Sequence, residues 1–288
     1  MCPFLLFSSC NAVLRDIHLY CCVHFFLAVF QMDPFVRQPK GMIGKEDSDE
    51  ENENPRKKFK VLDEGNEEDE GSIMVEFSDP LPWQKIEAEG LDCDYALLFS
   101  RQKADELFKQ LEEEVQYFTG EKAKVQVFGK FHDIPRKQAT YGDPGLMYSF
   151  SGVYHLARPW TPTLEYVRDA VTRATGYTFN FVLVNRYKDG RDHIGEHRDD
   201  EKELDPNCPI ASVSFGAARD FVFRHRESRG QRTHCRIDPV KLELTHGSLL
   251  LMNYPTNTYW YHSVPVRRRV LAPRINLTFR RIIMNSKH

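Results

Sequence analysis

The chain has 288 residues and a formal net charge of −3 at neutral pH, from 39 basic and 42 acidic side chains. That length accommodates one enzyme domain and an appendage. Seven cysteines, an odd number at irregular spacing, exclude a disulfide framework and read as reduced thiols of an intracellular protein.

The charge is unevenly spread. Residues 1–31 are neutral, with Arg15 against Asp16, whereas residues 32–80 hold 15 acids and 7 bases, a net of −8 that leaves residues 81–288 at +5. A basic domain behind an acidic tail is compatible with a polyanionic partner. The apolar run over residues 17–30 spans 14 positions and contains His18 and His24. It is short for a membrane helix, and no membrane association is expected. Residues 1–31 are expected to be a non-functional extension, with translation starting functionally at Met32. Residues 32–80 are too acidic and too poor in large apolar side chains to offset their ordering entropy, so disorder is expected. Within them, Pro55-Arg56-Lys57-Lys58-Phe59-Lys60 reads as a nuclear import signal and predicts a nuclear protein. A solvated linker cluster is the plainer alternative.

An ordered domain is expected over residues 81–288. Ser100 can cap a helix in which Ala104, Leu107, Phe108, Leu111 and Val115 recur at helical spacing. Thr161-Pro162 supplies the cap and first-turn proline of a second helix, with Leu164, Val167 and Val171 on one face. After Gly176 the pattern changes to strands over 177–187, 210–215, 220–225, 236–244, 248–252, 259–264 and 275–283. Helices first and many short strands afterwards predict a mainly β fold with flanking helices: a jelly roll with N-terminal helices packed outside.

The final strand carries the strongest chemical signal. In Arg274-Ile275-Asn276-Leu277-Thr278-Phe279-Arg280, polar and apolar residues alternate with period two. The polar set therefore shares one face, which suits an anion, and the planar guanidinium grips a carboxylate with two parallel bonds. Upstream, His197-Arg198-Asp199 places two potential metal ligands on the same side of an extended segment. His262 follows 65 residues later, 12 before Arg274. Two histidines and one carboxylate make the facial triad of non-heme Fe(II) oxygenases. An H-x-D alone is weak; followed by a distant histidine and an arginine row, it supplies a metal and an acidic cosubstrate together. His193-Ile194-Gly195-Glu196-His197 also fits H-x-x-E-H, a zinc-peptidase pattern, but that motif needs a helix, and Gly195 interrupts it.

With R-x-N-x-T-x-R after the H-x-D…H triad, the sequence resembles the AlkB family of Fe(II)/2-oxoglutarate-dependent dioxygenases. The likeness runs from about residue 83 to 283. It includes the stretches Val125–Lys130, Pro135–Gly142, Asn180–Tyr187 and His193–Glu201. The resemblance implies a double-stranded β-helix, Fe(II) on His197, Asp199 and His262, and 2-oxoglutarate and O2 as cosubstrates, with ascorbate as a candidate reductant. It assigns the far carboxylate of 2-oxoglutarate to Arg274, with Asn276, Thr278 and Arg280 supporting the pocket and Asn185 and Tyr187 also touching the cosubstrate. It implies oxidative demethylation of N-alkylated bases such as 1-methyladenine and 3-methylcytosine, with release of formaldehyde, and etheno adducts as candidate further substrates.

A base inside a duplex must be flipped out before it reaches buried iron. Val127-Phe128-Gly129-Lys130 fits a wedge, an aromatic beside glycine with lysines for phosphates. From the residues alone, a β-hairpin with Phe128 in the core is the favoured reading; the resemblance reverses this and selects the wedge. It also places Arg136 toward the opposite strand and Tyr148, Ser149, Phe150 and Asp200 around the flipped base. Arg267-Arg268-Arg269 and the bases of 224–232 add phosphate-binding charge. The implied partner is double-stranded DNA, met by a monomer. The family's short sliding-clamp motif corresponds to Met32-Asp33-Pro34-Phe35-Val36-Arg37, where Pro34 replaces the first base and one aliphatic is missing, so the clamp is a candidate partner with a degraded motif. A dioxygenase for RNA or protein, and a non-catalytic DNA-binding module, are the competing functions.

Overall fold

In the computed structural model, residues 81–127, 130–150, 153–229 and 237–283 are described. The extension, the acidic tail with its import-like run and clamp-like motif, Phe128, Gly129 and Arg232 lie outside them. So do the side chains of Val127, Ser149 and Phe150.

Two antiparallel sheets enclose the core. The larger has seven strands in the order β1 (Gln84–Ala88), β2 (Leu91–Leu97), β13 (Ser248–Met252), β10 (Ile210–Gly216), β15 (Arg274–Arg280), β8 (Phe181–Tyr187) and β5 (Lys137–Gly142). The smaller contains β12 (Val240–Leu244), β11 (Arg219–His225), β14 (Trp260–Val264) and β9 (Ile194–His197). Two hairpins stand apart, β3 (Lys124–Val127) with β4 (Lys130–Asp133), and β6 (Met147–Phe150) with β7 (Val153–Leu156). This is the expected jelly roll.

Between the sheets, Leu91, Cys93, Ile210, Leu250 and Met252 of the larger meet Phe221, Phe223, Leu244, Trp260 and Val264 of the smaller. Alternation along each strand gives both sheets an inner face, and burial of those apolar side chains is the main stabilising term. The outer face of the larger sheet is covered by helices. Helix α1 (Arg101–Glu114) is capped by the Ser100 side chain, which accepts from the Lys103 amide. It buries Ala104, Leu107 and Leu111. Helix α2 (Pro162–Thr175) is capped by Thr161 and stops at Gly176, whose φ of 75° is the left-handed conformation a helix C-terminus favours. Phe215 of β10 stacks on Phe99, which stacks in turn on Tyr166 of α2.

Several expectations need correction. The helices do not precede all the strands: β1 and β2 come before α1, and β3–β7 lie between α1 and α2. The β1–β2 hairpin turns at Gly90 with φ 69° and extends the larger sheet beside β13. Strand 177–187 begins only at Phe181, and strand 236–244 only at Val240, after Pro239, which offers no amide to a ladder. Tyr259 belongs to a short helix, α3 (Thr256–Tyr259). Strand 275–283 ends at Arg280. Among the described residues no helix is long and apolar enough to cross a membrane.

Candidate active site

The inner face of the larger sheet carries a band of polar residues. Antiparallel partners point the same way. Gln138 of β5 faces Asn185 of β8, Asn185 faces Asn276 of β15, and Asn276 faces Ser214 of β10. One step along, Arg274 faces Tyr187. Asn276 Nδ2 donates to Ser212 Oγ at 2.9 Å, and Thr278 Oγ1 donates to Asn276 Oδ1 at 3.4 Å. Asn276 and Thr278 therefore brace the band.

Arg274 is 1% exposed and has no ion-pair partner among the described residues. Nη2 donates to Ser214 Oγ at 3.0 Å, but Nε and Nη1 are buried without a hydrogen bond. Its guanidinium stands 5.2 Å from the centre of the Tyr187 ring. Burial drags its pKa down to about 10, and the nearby Arg219 charge adds to that. A buried cation with two idle donors is costly unless an anion arrives. A carboxylate on Nε and Nη1 satisfies both donors at once.

Opposite this band lie the metal-ligand residues. His262 on β14 is paired in register with His197 on β9, and Asp199 lies two residues beyond that strand's end. One ligand atom from each of the three falls within 4.8 Å of the others. The His197 Nδ1 lies 2.9 Å from the Gly195 carbonyl. A carbonyl only accepts, so Nδ1 carries the proton and Nε2 is left as the ligand atom. His262 Nδ1 is buried without a partner. These residues fit a metal: a buried carboxylate, two close imidazoles and an orphaned ring nitrogen. Because β9 is a strand, the zinc-peptidase reading of 193–197 fails; His193 turns its Nδ1 to the Arg191 carbonyl.

Arg280 joins the two sides. Its Nη2 lies 3.0 Å from Asp199 Oδ2, and both side chains are buried. Burial opposes ionisation of Asp199, yet the Arg280 charge and the two imidazoles hold the carboxyl down at about 2. Burial pushes His262 down to about 3, with repulsion from His197 adding to it, and lowers His197 as well. The triad is thus poised as two neutral imidazoles and a carboxylate, the forms that bind a metal.

Substrate-side residues are placed unevenly. Tyr148 is buried, 4.9 Å from the Phe181 ring and 5.3 Å below the Arg280 guanidinium. Asp200 is exposed and held by Arg198 at 2.6 Å. Lys130 is exposed on β4. Arg136 is only part-buried. Its Nε donates to Asn185 Oδ1 at 2.8 Å and its Nη1 to the His193 carbonyl at 3.3 Å, so these two donors face the polar band. The loop bearing Arg267–Arg269 is fastened by Gly190, whose amide donates to the Val270 carbonyl at 2.7 Å while its carbonyl accepts from the Arg267 amide at 2.7 Å. Nothing larger than glycine fits at position 190, since a Cβ there would meet the Arg267 carbonyl oxygen.

Five contributors escaped the sequence reading. Ser212 and Ser214 support the arginine strand, and their spacing of two was the available signal. Gln138 donates to Asn185 Oδ1 at 3.0 Å. Arg219 is buried, donates to the carbonyls of Asp189, Asp192 and Pro265, and lies 5.7 Å from the Tyr187 ring on which Arg274 also sits. Glu201, whose carboxyl burial and the charge of Asp199 push up to about 7, adjoins Tyr148. Sequence spacing carried no sign of the last two.

The family model for the 2OG-Fe(II) oxygenase superfamily matches residues 95–280. The chain belongs to that superfamily, in its AlkB family. It is 65% identical over 207 residues to DNA oxidative demethylase ALKBH2 of Bos taurus, covering 72% of this chain and 74% of the relative. Its identity to the Homo sapiens protein of the same name is 65% over 205 residues, covering 71% and 78%. Alpha-ketoglutarate-dependent dioxygenase alkB homolog 3 of Homo sapiens is 36% identical over 199 residues, covering 66% of this chain and 65% of that one. The protein is an Fe(II)- and 2-oxoglutarate-dependent dioxygenase, and O2 is its second cosubstrate.

Proposed function

We propose that this dioxygenase repairs DNA by oxidative demethylation of N-alkylated bases, 1-methyladenine, 3-methylcytosine and etheno adducts among them, with preference for duplexes. The observation that carries this reading is the convergence of a His-Asp-His cluster and an uncompensated buried arginine in a chain 65% identical to DNA oxidative demethylases. Bound Fe(II), with O2 and 2-oxoglutarate, supplies the oxidising power needed to hydroxylate an N-methyl carbon. The chain's own residues do the rest. Arg274 takes the far carboxylate of 2-oxoglutarate over the Tyr187 ring, and Asn185 offers its amide. Asn276, Thr278 and Arg280 hold the pocket's shape. Tyr148, with Ser149, Phe150 and Asp200, lines the space for a flipped base, and Tyr148 offers it a stacking face. Phe128, between Val127 and Gly129, fills the gap in the duplex, while Lys130 and Arg267–Arg269 engage phosphates.

One chain supplies every one of these residues, and a monomer suffices. The basic run at 55–60 carries the enzyme to the nucleus; replacing Arg56, Lys57, Lys58 and Lys60 by alanine should disperse it, and unchanged nuclear retention would leave the run a plain linker. The deciding experiment is mass spectrometry of methylated duplex, single-stranded and RNA oligonucleotides incubated with enzyme, Fe(II), 2-oxoglutarate and ascorbate. Loss of the methyl group from duplex DNA with succinate release is the expected result. Turnover confined to RNA would transfer the reading to an RNA demethylase. No turnover of any of them would leave DNA binding without catalysis.

A further inference from the structure

We infer that Arg136 is a positioning residue of the 2-oxoglutarate pocket, fixing the amide orientation of Asn185. This rests on the assignment of that pocket to the polar band. Arg136 sits immediately before β5, in a turn where its own amide donates to the Ile134 carbonyl at 2.7 Å and the Pro135 carbonyl accepts from the His193 amide at 3.2 Å. The turn aims its side chain inward. Nε reaches Asn185 Oδ1 at 2.8 Å, and Gln138 Nε2 reaches the same oxygen at 3.0 Å.

An asparagine and a glutamine side by side have a two-fold ambiguity, because either amide can rotate and exchange donor for acceptor. Gln138 alone could meet Asn185 in both senses. Indeed its Oε1 is buried without a partner, so rotating both amides would satisfy that oxygen with Asn185 Nδ2. Arginine removes the ambiguity, since a guanidinium donates and never accepts. With Arg136 present, Asn185 must turn its oxygen toward Arg136 and Gln138. Its NH2 is then left for the other flank of β8, where β15 carries Asn276 and Arg274, and a donor is offered to an incoming carboxylate. Without Arg136 the flipped pair presents the Asn185 oxygen to that carboxylate, a repulsive contact. Arg136 has no carboxylate within ion-pair distance among the described residues, and its neighbours are the Asn185 and His193 oxygens. Its Nε and Nη1 therefore serve the interior.

The test separates the two ligands. Affinity for 2-oxoglutarate is measured by calorimetry on the Mn(II)-loaded, DNA-free protein, and affinity for a methylated duplex by fluorescence anisotropy. Arg136→Ala should weaken 2-oxoglutarate about tenfold, the scale of one lost charge-assisted hydrogen bond, while duplex affinity stays within about twofold. Arg136→Lys, whose ammonium also only donates, should recover most of the loss. Unchanged 2-oxoglutarate affinity with weakened duplex binding would overturn the inference and make Arg136 a phosphate ligand. Parallel loss of both, with a lower Tm and no rescue by lysine, would overturn it in favour of a structural role. Arg274→Ala is the control. If it weakens 2-oxoglutarate and Arg136→Ala does not, only the role of Arg136 falls; if neither variant does, the pocket assignment falls as well.

Discussion

Arg280 reaches from the larger sheet across the interior to Asp199 beyond the end of β9 in the smaller one, and the two charges meet at 3.0 Å. The pair ties the arginine strand to the His-Asp-His cluster. It also explains how a deeply buried aspartate stays ionised before any metal arrives.

Removing that guanidinium should leave an uncompensated buried carboxylate. Arg280→Ala is expected to destabilise the fold by about 3–5 kcal/mol and to weaken Mn(II) binding, as Asp199 shifts toward its protonated form. Denaturant unfolding and calorimetric titration check this. A variant with wild-type stability and metal affinity would show that the ion pair is dispensable.

Metal affinity should resist acid better than two ordinary histidines allow. Two imidazoles of ordinary pKa, near 6.5, would each lose about thirtyfold of their neutral form by pH 5, or about a thousandfold together. Here burial lowers His262 to about 3 and His197 below its ordinary value, and Asp199 sits at about 2. His262 and Asp199 therefore take up no proton in this range and His197 less than an ordinary imidazole, so acidification from pH 7.5 to 5 should cost Mn(II) binding less than the roughly thirtyfold of one ordinary histidine. A thousandfold loss would mean that both imidazoles titrate as in water.

On the proposed placement of 2-oxoglutarate, Arg274→Ala deletes the charged partner of its buried far carboxylate. The expected cost is about 2–5 kcal/mol, a rise of roughly thirty- to several-thousandfold in the 2-oxoglutarate requirement. Duplex affinity should hardly move. The opposite pattern would assign the arginine strand to the phosphate surface.

Phe128→Ala should separate duplex from single-stranded substrate. Stacking on an aromatic contributes about 1–3 kcal/mol per base, so repair of duplex should fall roughly ten- to a hundredfold. Single strands need no extrusion from a paired stack and should lose much less. Equal losses on both, with a lower Tm, would make Phe128 a packing residue.

The alternation in 274–280 and the H-x-D spacing disclosed the polar band and part of the ligand cluster because strand geometry converts a period of two directly into a shared face. The caps of α1 and α2 were legible for the same reason: Ser100 and Thr161 act on amides three residues away. Contacts made by tertiary folding were not. Arg136 is drawn inward by Asn185 and His193, 49 and 57 residues distant in sequence, and nothing in its neighbourhood along the chain marks that. Strand β9 was missed because its Ile-Gly-Glu-His sequence has no apolar alternation; its pairing with β14 makes it a strand.

The burial of all seven residues of β15 has a consequence for folding fidelity. On one face the strand presents two guanidiniums, on the other Ile275, Leu277 and Phe279, with the Phe279 ring 6.4 Å from that of Trp160. A slip of one residue against β8 or β10 would drive both charges into the greasy layer beneath the helices and leave hydrocarbon lining the catalytic chamber. The arginines that serve chemistry in the finished enzyme thus act earlier as proofreaders, penalising every misaligned pairing of the central strand.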